Sequence, residues 1–471
     1  MSINRRKFLQ GGALLGAGLS LNGCAPIINL SQSGDYEYTL TLEAAPFELI
    51  PNTQTPGLGF NGQYPSPVLR AKQGRPITIT VVNKLDQPTT IHWHGIRIDI
   101  AMDGVPFLSQ MPIMPGESFV YRFTPPDAGT FWYHPHVNSV EQLGKGLVGL
   151  LIVDEADSPN FSPNEFAADI PLMIKNWHLN DDGSFKPLSI PRYAARMGTP
   201  GNYETINGVN KPRIDVPANS WIRLRFANVD NTLVYTVRVK DHPAYLASID
   251  ANPLPEPKPF TQHAIGAGMR FDLVLKTPAV GETITIENGK GRIFFEFLTL
   301  NSVAAGSQSI DDQSLQDYPM PRLPLNPLPE PDLANAETLK FVFEWEGAIT
   351  PADDQGKAKH KFWTINRRAW EGMSHNNIPA PLAQLTLGKT YIFDLKNNTP
   401  HHHPIHIHGV MFKVLKSTKK AIDPFFTDTV LMEKNERVKI AFVADNPGRW
   451  MYHCHVIEHM KTGLMGYIEI S

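Results

Sequence analysis

The chain has 471 residues, 42% of them hydrophobic and 19% charged, with a formal net charge of -3; the length suggests about three domains of ~150 residues each, and the composition excludes wholesale disorder. No basic run or stripe stands out, which argues against a nucleic-acid partner. The 41 prolines and 2 cysteines favour a loop-rich all-β protein and exclude a disulfide-stapled scaffold.

Residues 1–26 read as an address. Asn4-Arg5-Arg6-Lys7-Phe8-Leu9 is a twin-arginine signature, and the apolar stretch from Gly11 to Gly23 is too short to span a bilayer. The segment resembles a Tat export signal, which implies the Tat machinery as a partner and a periplasmic destination. Leu21-Asn22-Gly23-Cys24 resembles a lipobox, so a lipid tether to the membrane through Cys24 and simple cleavage nearby both stand as readings. Either way Cys454 is the one thiol left.

Three segments then repeat a pattern: "FNGQYPSPVLRAKQGRPITITVVNKL" from Phe60, "INGVNKPRIDVPANSWIRLRFANVDN" from Ile206, and a segment from Ile365 that ends "KTYIFDLKNNT". Each opens on an asparagine (Asn61, Asn207, Asn366) and closes on another (Asn83, Asn228, Asn397) after an alternating run. Alternation of apolar and polar residues predicts half-buried strands. The repeat predicts three β-domains over 36–156, 165–317 and 336–471, with 318–335 as a Pro-rich extended linker.

The outer repeats carry chemistry that the middle one lacks. Nine and eleven residues after the aligned asparagine stand His92 and His94 in the first repeat and His406 and His408 in the third, where the middle repeat has Val237 and Val239. Behind an aligned glycine come "GTFWYHPH", with His134 and His136, and "GRWMYHCH", with His453 and His455. A strand directs residues i and i+2 to one face, so four H-x-H pairs in two equivalent domains would converge eight imidazoles at one interface. Neutral imidazole suits copper, zinc, iron or nickel, and eight ligands are too many for one ion. Cys454 points to the face opposite its flanking histidines, where His403 and His459 are available as partners. A His2Cys set is the blue-copper arrangement, and zinc is the alternative.

HWHG (His92 to Gly95), WYHPH (Trp132 to His136), HPIHIHG (His403 to Gly409) and HCHVIEHMKTGL (His453 to Leu464) together resemble the four motifs of the multicopper oxidases. The resemblance implies three consecutive cupredoxin-like Greek-key β-barrel domains and four coppers per chain. By that resemblance, type 1 copper takes His403, Cys454 and His459, and type 2 takes His92 and His406. One type 3 copper takes His94, His134 and His455, and the other takes His136, His408 and His453. Electrons from a small reducing substrate would pass through Cys454 to His453 and His455, and the cluster would reduce O2 to water. Asp103 stands where related oxidases keep a proton-relay aspartate, although Asp103-Gly104 is also a turn dipeptide. Leu464 falls at the axial position of type 1 copper as a non-coordinating residue, with Met465 one place beyond.

A monomer is expected. Without a methionine-rich segment, phenolic or aromatic donors are favoured, with cuprous or ferrous ion oxidation as the alternative. A non-catalytic periplasmic scaffold of the same fold would have lost ligands, and here the ten histidines and the cysteine all stand.

Overall fold

The alternating runs become the central strands of three similar sheets. Ile77–Asn83, Trp221–Asn228 and Thr390–Asn398 each take a parallel neighbour, Tyr36–Phe47, Ala168–Trp177 and Glu337–Trp345, on one side. On the other side each takes an antiparallel neighbour, Ser118–Phe123, Arg270–Lys276 and Arg437–Val443. This computed structural model describes residues 36–159, 161–304, 319–346, 361–370, 374 and 376–471. The twin-arginine segment, Cys24 and Tyr318 at the start of the linker lie outside the described residues.

A second sheet faces each of these, and the apolar side chains of the two close over one core per pair, as Phe341, Phe393, Ile405 and Trp450 do in the third. In the outer domains the second sheet carries the histidines. Ile91–His94 pairs with Gly129–Pro135, setting His92 opposite His134; His403–Ile407 pairs with Gly448–Cys454, setting His406 opposite His453. The corresponding pair in the middle domain is Val237 opposite Asn288.

The asparagines explain why the repeat keeps its spacing. Asn83, Asn228 and Asn397 are all fully buried, and each does the same work. The side-chain oxygen accepts from the backbone N–H two residues on (Leu85, Asp230, Thr399), while the amide donates to two carbonyls that end neighbouring loops. Asn61, Asn207 and Asn366 sit at positive φ and each bridges an N–H and a C=O of the domain's first strand. An asparagine tolerates that backbone and satisfies buried polar groups at once.

One strand departs from the half-buried expectation. Ile77–Asn83 alternates cleanly, but Trp221–Asn228 is buried on both faces apart from its first residue. Its outward arginines do not meet water: Arg223 bonds Glu155 and Asp272, and Arg225 bonds Asp169 and Thr130. Paired charges allow a polar face to be buried. Residues 319–332 form no helix or strand, yet they are pinned, because Asn326 bonds the backbone of Ala128 and of Ala251.

Candidate metal centre

The eight imidazoles of the four H-x-H pairs meet where the first and third domains face each other, none of them more than 2% exposed. Strand pairing ends at Pro135, Ile407 and Cys454, so His136, His408 and His455 stand just past the ladders. Their rings nevertheless converge with the rest. His92 stacks on His408 with centroids 3.8 Å apart, and His94 stacks on His406 at 3.8 Å. Those two contacts exchange under a twofold axis that relates the outer domains.

Hydrogen bonds orient the rings with the same symmetry. His92 Nδ1 donates to the Asp103 carbonyl and His406 Nδ1 to the Asp428 carbonyl, each 2.9 Å. His408 Nδ1 lies 3.1 Å from the Asp103 carboxylate, and His94 Nε2 lies 3.1 Å from the Asp428 carboxylate. His134 Nδ1 and His453 Nδ1 face the carbonyl of the next residue, at 3.0 and 2.9 Å. Of the ring nitrogens left over, His92 Nε2, His94 Nδ1, His134 Nε2, His406 Nε2 and both of His136 and His455 have no protein partner, while His408 Nε2 and His453 Nε2 face each other at 3.0 Å. Buried nitrogens in that state normally ligate something. Burial first, then neighbouring imidazoles, holds His94, His134, His136, His408, His453 and His455 well below the usual histidine range. They are therefore neutral, the form that binds a transition metal. His136, His408 and His453 already bring their ligand atoms together as one group, and His92, His406 and His408 do so as another.

A second centre lies behind Cys454. Its Sγ is 3.4 Å from His403 Nδ1 and 3.5 Å from His459 Nδ1, and the two nitrogens are 3.1 Å apart. A point equidistant from the three lies roughly 2 Å from each, the length of a metal–imidazole bond. Burial pushes the Cys454 thiol up, so its thiolate needs a cation beside it. Leu464 packs in the same core as Cys454, whereas Met465 packs in a different one, between the outer domains.

Each residue singled out in the motifs is brought to one of the two centres. Asp103 caps the short turn Ile100–Met102 and presents its carboxylate to His92 and His408. Three residues escape the sequence reading. Asp428 is the third domain's counterpart of Asp103, but it lies 22 residues after His406 where Asp103 lies 11 after His92, because two extra strands, Phe412–Ser417 and Phe425–Thr427, intervene. The shared Asp-x-Val of "DGV" and "DTV" was the available signal. Arg270, from the middle domain, clamps Asp428 with Nη1 at 2.9 Å and Nη2 at 2.7 Å and also donates to the Thr130 and Gly268 carbonyls. Burial, reinforced by Asp428 and opposed by Arg270, raises its other partner Asp250 to about 7. The glycine of HWHG follows from this pair: a Cβ on Gly95 would stand 2.4 Å from the Arg270 guanidinium and 2.5 Å from the Asp428 carboxylate. Trp363 is the third, its ring 4.4 Å from that of His459 and 5.0 Å from that of His403.

Comparison with known proteins agrees with this geometry. Two multicopper oxidase family models match residues 41–158 and 350–471. The crystal structure of a multi-copper oxidase from Pseudomonas thermotolerans is 42% identical, with a TM-score of 0.83 over 93% of this chain and 99% of that one. A multicopper oxidase of Staphylococcus epidermidis is 27% identical, covering 93% of this chain and 89% of the relative. Laccase-1 of Cryptococcus neoformans is 26% identical, covering 87% and 76%. With its three cupredoxin-like domains and histidines gathered between the outer two, the chain belongs to the multicopper oxidase family, copper-dependent oxidoreductases that use O2.

Proposed function

We propose that the chain holds four coppers and couples the one-electron oxidation of aromatic, laccase-type donors to the four-electron reduction of O2 to water. Type 1 copper is assigned to His403, Cys454 and His459, and type 2 to His92 and His406. The type 3 pair is assigned to His94, His134 and His455 and to His136, His408 and His453. The observation that carries this reading is the convergence of eleven buried ligand side chains, with inward nitrogens on six of the histidines that have no protein partner. Bound copper supplies one-electron redox chemistry at the first site and multi-electron reduction at the cluster.

The protein's part is to orient, connect and protonate. The Cys454 peptide joins the two centres, since its carbonyl accepts from His453 Nδ1 at 2.9 Å and its amide bond leads to His455. Asp103 is positioned to hold and deliver a proton: its carboxylate meets two cluster imidazoles, and among the described residues no lysine or arginine pairs with it. Asp428, clamped by Arg270, is the fixed negative charge instead. A cavity of about 160 Å³, lined by Pro106, Val140, Met460, Met465 and His136, offers an apolar approach to the cluster suited to dioxygen. Aromatic donors are favoured because the sequence has no methionine-rich run; Met111 and Met114 are exposed on the first domain. Export by the Tat route to the periplasm, tethered through Cys24 or free, belongs to the same proposal and rests on residues 4–24.

Copper analysis with oxygen uptake tests the reading. About four coppers per chain, an absorbance near 600 nm and O2 consumption with a phenolic dye are expected; one copper or none would identify a carrier or scaffold. Leu464→Met is expected to lower the potential of the blue site, followed by redox titration of its absorbance, because thioether sulfur stabilises the oxidised metal. An unchanged potential would mean that Met465 already takes that position.

A further inference from the structure

The edge of His459 that would meet a donor is closed. Three consecutive carbonyls of the middle domain each accept a ring N–H from the third: Ala194 from Trp363 Nε1 at 2.9 Å, Ala195 from Trp345 Nε1 at 2.7 Å, and Arg196 from His459 Nε2 at 2.9 Å. Three residues further on, Thr199 donates through its backbone N–H and its hydroxyl to Glu458, which precedes His459. Gly198 makes the tight passage possible, with φ +85° and Val456 3.0 Å from where a Cβ would be. The other ligand ring is closed as well, His403 Nε2 lying 2.9 Å from the Thr399 hydroxyl. Both imidazoles have no exposed surface.

A donor therefore reaches this centre across the strap, and the outer face of the strap is cationic. Arg192 and Arg196 are exposed, as is Met197. Among the described residues neither guanidinium forms an ion pair; Arg192 lies over the ring of Tyr193 and bonds its hydroxyl. The strap's one carboxylate partner, Glu458, is turned inward and buried. His401 sits beside Arg196, its ring 5.8 Å from Trp363 and 6.2 Å from the partly exposed Trp345.

We propose that Arg196 is the donor-docking and electron-entry residue: its exposed guanidinium, with Arg192, selects anionic donors, and its carbonyl, bonded to His459, conducts the electron inward. The donor class is then phenolates, aromatic carboxylates and aromatic sulfonates rather than cuprous or ferrous cations. The donor loses one electron and the metal site gains it; no bond forms or breaks and no proton moves in this step. This rests on the assignment of His403, Cys454 and His459 as the type 1 site.

Two outer-sphere reductants of opposite charge, hexacyanoferrate(II) and hexaammineruthenium(II), test it on the holoenzyme. Wild type is expected to favour the anion, more so at low salt. Arg196→Glu leaves the carbonyl and the blue absorbance in place, lowers kcat/KM for hexacyanoferrate(II) by about tenfold and raises it for the ruthenium complex, with Arg196→Gln between. Binding of redox-inert hexacyanocobaltate(III), followed by calorimetry, should weaken by a similar factor without any turnover. An anion-to-cation preference unmoved by Arg196→Glu, together with unchanged hexacyanocobaltate binding, overturns the proposal. Absence of O2 uptake with either reductant in wild type would instead sink the oxidase reading, and the binding experiment would still decide the docking site.

Discussion

Cys454→Ser is expected to remove the blue absorbance, lower copper from about four to about three per chain, and cut donor oxidation by about a thousandfold, ~4 kcal/mol of barrier. The hydroxyl fits the space, but a hard, protonated oxygen is a poor ligand for a metal that otherwise has only His403 and His459. The same change would sever the connection to the cluster, since the sulfur is the atom by which the Cys454 peptide would hold a metal between His403 and His459. Folding should survive, with a cost of about 1–3 kcal/mol for a buried hydroxyl whose near neighbours are the two imidazoles. Metal analysis with visible absorption reads the outcome; a variant that kept four coppers and its blue colour would remove Cys454 from the assigned site.

Arg270→Met should do the reverse, sparing the blue site and damaging the cluster. Asp428 is held well below the usual carboxylate range, its burial outweighed chiefly by Arg270, and it orients two cluster imidazoles, His94 through its carboxylate and His406 through its carbonyl. Removing the arginine strands a buried charge, at about 3–5 kcal/mol, which should lower the melting temperature by roughly 5–10 °C. Asp428 is then driven to turn or to take up a proton, and His94 loses the acceptor that aims its Nδ1 inward. The expected readout is loss of cluster copper with the 600 nm absorbance retained, partly restored in Arg270→Lys. Full cluster occupancy in Arg270→Met would reduce Arg270 to a purely structural ion pair. The middle domain, which has no H-x-H pair, thus acts on the cluster through Arg270.

The candidate ligand set was legible because coordination chemistry imposes local patterns. Two imidazoles on one strand face require H-x-H, and a thiolate serving the opposite face has to sit between two of them, so His453-Cys454-His455 shows its geometry in three letters. The three-domain architecture was legible for a similar reason, since Asn83, Asn228 and Asn397 each satisfy buried backbone groups within a few residues of themselves. Arg270 left no signal, and Asp428 only the Asp-x-Val it shares with Asp103. Their partners lie 334 and 158 residues away for the His94–Asp428 and Arg270–Asp428 contacts, and nothing within a repeat demands them.

Sequence alone therefore determined the fold class, the family and the eleven ligand candidates, because each depends on spacing within a strand or turn. Tertiary structure decided which nitrogen of His92, His94, His134 and His406 is left free of the protein, that Leu464 rather than Met465 packs with Cys454, and that the carbonyls of Ala194 to Arg196 close the Cys454 site. Those features depend on how one domain's backbone is laid against another's side chains. Backbone carbonyls are the same atoms in every residue, so a strap built from them leaves no signature in the order of amino acids.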